Sequence, residues 1–208
     1  MSERLYSYVI VGGGLAGAAA VEGIRQHDSS GSILLVSSEP DPPYDRPPLS
    51  KNLWMGTKQV NEIFVHPQKF YVEQRVDLSL RMDVAELDTT AHLIRNRDGN
   101  GFRYQKLLLA TGGTPRKLSI RGGNLEGVCY YRTLRDYHAV RAAATSGKSA
   151  VVIGGGFIGS EMAAALSVNG VAVTMIFPKG MVGVARFSGR PGARANRLLP
   201  VEAGDGVQ

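Results

Sequence analysis

The stretch YVIVGGGLAGAAA, residues 8–20, decides the fold. Four apolar residues run into Gly12-Gly13-Gly14-Leu15-Ala16-Gly17, and an alanine-rich segment follows through about Gln26. A short apolar run stopped by glycine reads as a buried strand, and alanine favours helix. A second apolar run, Ile33 to Val36, is followed by Glu39. Strand, glycine turn, helix, strand and acid is the order of a dinucleotide-binding unit. Gly12 permits the tight turn, Gly14 lets a pyrophosphate approach the backbone, and Gly17 lets the helix pack close to the strand. The helix N-terminus then offers N–H groups and a positive dipole end to the phosphates. Glu39 is spaced to accept hydrogen bonds from a ribose diol.

The pattern returns 142 residues later as AVVIGGGFIGSE, residues 150–161. Gly154, Gly156 and Gly159 repeat the spacing, and Val171 to Phe177 reads as the next strand. No acid stands at that strand's end; Phe177, Pro178 and Lys179 do. Two such turns imply two dinucleotides, and the economical pair is a flavin and a nicotinamide.

Between the repeats, the prolines of PDPPYDRPP, residues 40–48, exclude helix and central strand. A short helix is expected from near Leu49 through Trp54, and another over 67–74. Residues 76–105 alternate and carry Asp98-Gly99-Asn100-Gly101, which predicts a small antiparallel meander. Leu107 to Ala110 reads as a buried strand entering Thr111-Gly112-Gly113. A loop over 115–127 precedes a helix over about 134–146. The fold class is therefore α/β: two Rossmann-like βαβ units with a small antiparallel meander, the second unit incomplete. The expected domains are a first dinucleotide-binding portion over 1–118, a second, incomplete one over 119–178, and an anomalous, disordered tail over 179–208.

Composition narrows the classes. At 208 residues, 43% hydrophobic and 20% charged, the chain is neither wholly disordered nor a multi-span membrane protein. Its one cysteine, Cys129, excludes an intrachain disulfide, a CxxC pair and a cysteine-based zinc site, and is expected as a small apolar residue in a strand. His27, His66, His92 and His138 lack metal-ligand spacing, so no metal is assigned. The net charge of +6 raises nucleic acid as a partner. Half of that surplus lies in residues 179–208, which show no aromatic interleaving beyond Phe187, so no nucleic-acid role is assigned. The N-terminal apolar stretch is explained by strand, turn and helix better than by a signal peptide. Glu161 and Asn169 argue against a membrane span over 149–177. The chain reads as cytoplasmic.

Several further segments carry a resemblance. PYDRPPLSK (43–51), LATGGTPR (109–116), YRTLRD (131–136) and GGGFIGSE (154–161), with Gly12 to Gly17 and Glu39, together resemble the FAD-dependent pyridine nucleotide oxidoreductases. The nearest branch is that of the ferredoxin reductases of oxygenase systems and apoptosis-inducing factor. The resemblance implies that Gly12, Gly14, Leu15, Ala16 and Gly17 hold the FAD pyrophosphate and Glu39 its adenosine ribose. It implies that Arg46, Lys51 and Arg132 contact the FAD, with Lys51 close to the isoalloxazine. Val84 would lie by the adenine through its backbone, and Ala110, Thr111 and Gly112 would touch the cofactor at the domain junction. Gly154, Gly156, Phe157, Ile158 and Gly159 would form the NAD(P)H turn. Glu161 would sit on the nicotinamide side and pair with Lys51; these two are the candidate catalytic residues.

A lysine near the flavin favours negative charge accumulating there, and a carboxylate partner keeps that buried cation from being costly. The absent CxxC directs electrons to an external one-electron carrier such as ferredoxin, or to a quinone or oxygen. The implied activity is an FAD-dependent NAD(P)H oxidoreductase with a ferredoxin-type acceptor. The alternative is a non-catalytic FAD/NAD-binding remnant of such an enzyme. Members of the family run to roughly twice this length, because two to three domains must be housed. Patterning stops near residue 178, so the chain is expected to be a truncated reductase whose residues from 179 onward are out of frame or otherwise non-native. Exposed apolar edges, and with them instability or aggregation, are expected to follow. Lys179 leaves the choice between NADH and NADPH open.

Overall fold

The computed structural model describes residues 4–177. The expected tail over 179–208, with Lys179, lies outside the described residues. The chain divides into two compact units. Among the described residues, one comprises 4–45 and 61–114, the other 46–60 and 115–177.

The first unit is built on a six-stranded sheet. Its strands are β1 (Arg4–Val11), β2 (Ile33–Val36), β3 (Val76–Ser79), β4 (Val84–Asp88), β5 (Leu93–Asn96) and β6 (Gly101–Leu109), in the order β3-β2-β1-β6-β5-β4. The pairs β1/β2, β1/β6 and β2/β3 are parallel, whereas β4/β5 and β5/β6 are antiparallel. Helix α1 (Leu15–His27) follows the first glycine turn, and α2 (Gln68–Glu73) precedes β3. Parallel strands need a crossover connection, and α1 and α2 lie on those crossovers. Ile10, Val21, Ile33, Leu35, Tyr71 and Val76 form one core layer. Tyr6, Val9, Val11, Leu34, Val36, Met82, Ile94 and Tyr104 form another. Over Tyr8–Val11 and along β2 alternate residues thus point to opposite faces and both faces are packed, which is why these stretches read as continuous apolar runs.

The second unit contains α3 (Leu134–Ala143), β7 (Ser149–Ile153), α4 (Phe157–Val168) and β8 (Ala172–Ile176). Strands β7 and β8 are parallel and pair from Ser149↔Ala172 to Ile153↔Ile176. The 3-10 turn Pro47–Ser50 also belongs to this unit.

Four expectations need correction. Residues 76–79 form β3, parallel to β2, and the antiparallel meander is β4–β5–β6 alone. Alternation reports a strand but not the direction of its neighbour; the helical turn just before Val76 was the signal for a parallel crossover. The helix expected over 49–54 is a 3-10 turn followed by irregular turns. Leu49 N bonds Arg46 O and Lys51 N bonds Pro48 O, both i→i−3. Lys51 ends the 3-10 turn at φ −130°, ψ −94°, outside the helical region, and Gly56 takes φ +69°, so no regular helix continues through 49–54. Leu108 and Leu109 are exposed, 57% in the case of Leu109. Cys129 is exposed and lies outside any strand.

Candidate functional site

In the first unit the glycine turn is shaped by contact. Gly12 has φ +134°, and a Cβ there would lie 2.0 Å from the Ala110 carbonyl oxygen. A Cβ at Gly17 would lie 2.1 Å from the Gly12 carbonyl oxygen, so the first turn of α1 presses against the loop that precedes it. Gly14 differs. It is the N-cap of α1 at φ −103°, no side chain caps the helix, and a Cβ there would meet nothing within 4 Å. The backbone is thus open where a phosphate would approach and closed where the fold requires contact. That combination fits a dinucleotide pyrophosphate.

The other candidate residues of this unit lie nearby in the topology. Glu39 follows β2 and is half-buried; Tyr44 Oη donates to its Oε2 at 2.5 Å. Tyr44 is buried, and the segment around it is tied down by backbone bonds from Asp45 N to Ile63 O and from Val65 N to Pro43 O. Ala110, Thr111 and Gly112 follow β6, the strand beside β1, with Ala110 N bonded to Val11 O and Gly112 at φ +69°. Val84 opens β4, and its side chain packs on the core layer that contains Val9 and Val11.

In the second unit the turn between β7 and α4 repeats the geometry. Gly154 has φ +122°, a Cβ at Gly159 would lie 2.0 Å from the Gly154 carbonyl oxygen, and Gly156 has open space at its Cβ position. No side chain caps α4. A Cβ at Gly154, unlike one at Gly12, would meet nothing within 4 Å. Phe157 and Ile158, in the first turn of α4, are both exposed.

The same unit carries a charged cluster. Lys51 Nζ lies 3.1 Å from Glu161 Oε1, and Ser50 Oγ donates to Glu161 Oε2 at 2.6 Å. Ser50 and Lys51 come from the proline-rich turn, and Glu161 from the second turn of α4. Arg46 Nη1 donates to the Arg132 carbonyl at 3.0 Å, which brings these two candidates together.

A hydrogen-bonded aromatic group holds the turn in place. Tyr131 Oη donates to the Leu49 carbonyl, and Trp54 Nε1 donates to Tyr131 Oη at 3.1 Å. The Trp54 ring meets Tyr137 edge-on at 5.8 Å, and the Arg141 guanidinium lies over it at 5.1 Å. Asn169 Nδ2 donates to the Trp54 carbonyl at 3.3 Å. Burial pushes the Tyr131 hydroxyl well above its ordinary value, so it is a neutral donor.

The YRTLRD segment has a local reason. Thr133 is the N-cap of α3, accepting from Asp136 N, while Asp136 Oδ2 accepts from Thr133 N at 2.8 Å and from Arg132 N at 3.0 Å. This capping box fixes the backbone that carries Tyr131 and Arg132.

Ser50, Tyr44, Trp54 and Tyr131 are contributors that residue-type reasoning did not single out. Three of them lay inside or beside the quoted motifs; only their partners were invisible. Among the described residues no group of three or more His, Cys, Asp or Glu could hold a metal. Among them, no helix is long and apolar enough to cross a membrane.

A parallel sheet with crossover helices, an antiparallel meander and two glycine turns that each open a helix define a Rossmann-like α/β protein. The chain belongs to the pyridine nucleotide-disulphide oxidoreductase family, whose model matches residues 6–184. It is 39% identical over 168 residues to rubredoxin-NAD(+) reductase of Pseudomonas putida, covering 81% of this chain and 44% of that protein. It is 37% identical over 194 residues to a ferredoxin–NAD(P)(+) reductase of a Sphingomonas species, covering 93% of this chain and 47% of that one. Among solved structures, the ferredoxin reductase for the CYP199A2 system of Rhodopseudomonas palustris superposes with a TM-score of 0.75 at 33% identity, covering 81% of this chain and 42% of that one. The chain spans less than half the length of these relatives.

Proposed function

We propose that this chain carries the FAD- and NAD(P)H-binding portions of a reductase that passes hydride from NAD(P)H to FAD and then electrons singly to a ferredoxin- or rubredoxin-type carrier. In this reading the first unit holds FAD through Gly12, Gly14, Leu15, Ala16 and Gly17, with Glu39 at the adenosine ribose. Val84, Ala110, Thr111 and Gly112 line the same cofactor, and Arg46, Lys51 and Arg132 are its further contacts. Gly154, Gly156, Phe157, Ile158, Gly159 and Glu161 receive the nicotinamide nucleotide. The names of the relatives support the carrier class, and the family supports the cofactors.

The observation that carries the reading is the Lys51–Glu161 pair, formed by residues 110 apart in sequence and meeting at 3.1 Å. When bound, the flavin supplies hydride acceptance at N5 and one-electron release. Lys51 supplies a fixed positive charge, which stabilises negative charge developing beside it. Glu161 balances that charge when no electrons are present. The family name includes a disulphide, but within this chain Cys129 is the only cysteine, so an intrachain cysteine pair is not the electron exit.

The test is anaerobic reduction. Purified protein should show a flavin spectrum that bleaches on addition of NADH or NADPH. Yellow protein that does not bleach would support a binding-only remnant, and protein that takes up no flavin would contradict both readings.

A further inference from the structure

The Glu161 carboxylate is gripped by two consecutive residues. Ser50 Oγ donates to Oε2 at 2.6 Å, and Lys51 Nζ reaches Oε1 at 3.1 Å. The serine hydroxyl has one proton and two acceptors within range, the Pro47 carbonyl at 3.5 Å and the carboxylate at 2.6 Å. Length and charge both assign the proton to the carboxylate, because O–H···O⁻ bonds are short and about twice as strong as neutral ones. Ser50 and Ser37 are the buried polar residues among those described. Ser50 is 8% exposed, while the Lys51 side chain is 52% exposed. Of the two contacts on Glu161, the serine contact is therefore the one shielded from water.

We propose that Ser50 is a positioning residue: its hydroxyl fixes the rotation of the Glu161 carboxylate so that Oε1 faces Lys51. The inference rests on the reading of Lys51 and Glu161 as the functional pair. The terminal torsion of glutamate is broad and two-fold, and a half-exposed lysine–carboxylate pair does not by itself hold either side chain in one geometry. A donor on a short turn that begins Pro47-Pro48 removes that freedom. Adjacent residues of an extended strand point to opposite faces, whereas the tight turn lets Ser50 and Lys51 address one carboxylate. An ammonium has three donors and the ion pair uses one, so the position of Oε1 sets where the other two point.

The test reads Lys51 directly and needs no bound cofactor. The protein is labelled with trace acetic anhydride, and each lysine is followed by mass spectrometry in Ser50→Ala, Ser50→Thr and Glu161→Gln. Ser50→Ala and Glu161→Gln should each label Lys51 about two- to fivefold faster than the parent, with Lys58 and Lys148 unchanged. Ser50→Thr, which keeps the hydroxyl, should label at the parent rate. Parent-like labelling of Lys51 in Ser50→Ala overturns the proposal. So does a rise at all lysines, which would mean a merely structural role, or a Glu161→Gln variant with no effect, which would mean that no pair forms. If Ser50→Ala fails to fold, Ser50→Cys provides the same comparison at nearly constant volume. Failure to take up flavin would contradict the proposed function and leave the labelling result standing.

Discussion

A methyl group at Gly12 would lie 2.0 Å from the Ala110 carbonyl oxygen at a φ of +134°, whereas one at Gly14 would meet nothing. The two positions therefore separate folding from binding. Gly12→Ala should destabilise the protein by at least about 2 kcal/mol, read from the urea midpoint. Gly14→Ala should leave that midpoint nearly unchanged and weaken FAD uptake, because the added carbon occupies only the space a phosphate would use. Tyr71 gives a prediction of the opposite sign. Its hydroxyl is buried without a hydrogen-bond partner among the described residues, and burial with the nearby Glu22 carboxylate pushes it up to about 12. Tyr71→Phe should therefore stabilise the protein by about 1 kcal/mol in the same assay. At this scale the tight glycines Gly12 and Gly17 were legible in the sequence, because backbone clearance restricts residue type sharply. The Tyr44–Glu39, Ser50–Glu161 and Tyr131–Leu49 contacts were not, because hydroxyl donors occur everywhere and only the fold chooses their acceptors.

At the scale of elements, two local devices make separable predictions. The Thr133–Asp136 capping box starts α3 and carries the backbone of Arg132. Thr133→Ala should cost about 1 kcal/mol and speed amide exchange in the first turn of α3. Between α1 and β2, Asp28 accepts hydrogen bonds from Gly31 N and Ser30 N, which lower its carboxyl to about 2. A depressed carboxyl stabilises the fold fully above its unfolded value near 4, and that contribution is lost as pH falls toward 2. Asp28→Asn should flatten the acid limb of a stability–pH curve in that window and leave neutral pH comparatively unaffected. Strand β2 and the hairpin at Asp98-Gly99-Asn100-Gly101 were legible because their signals are local: Asn96 Oδ1 accepts from Asp98 N and Asn100 N, and Gly99 takes φ +82°. The direction of β3 and the form of 47–56 were not. Both depend on partners far away in sequence, β2 for the one and the Tyr131–Trp54–Tyr137 group for the other.

Considered as a whole, the molecule presents apolar residues that its described part does not cover. Val151 is 60% exposed on β7, with Ile153 on the same strand and Ile176 on β8 also exposed; Leu109 ends β6 in the same condition. An exposed apolar strand is a site for association. The protein is therefore expected to self-associate as concentration rises, which light scattering would detect. A chain that stays monodisperse across that range would argue that other residues cover these strands. The continuous apolar runs were legible as strands made for burial, but which atoms bury them is a property of the whole assembly and no local pattern reports it.

The central claim is that the first glycine turn holds FAD. The most direct measurement is a titration of FAD into the flavin-free protein, followed by flavin fluorescence, in the parent and in Gly14→Ala. The prediction is saturable one-site binding by the parent and a marked loss of affinity in the variant, with the two unfolding midpoints equal. Absence of saturable binding by the folded parent, or equal affinity in both proteins, would contradict it.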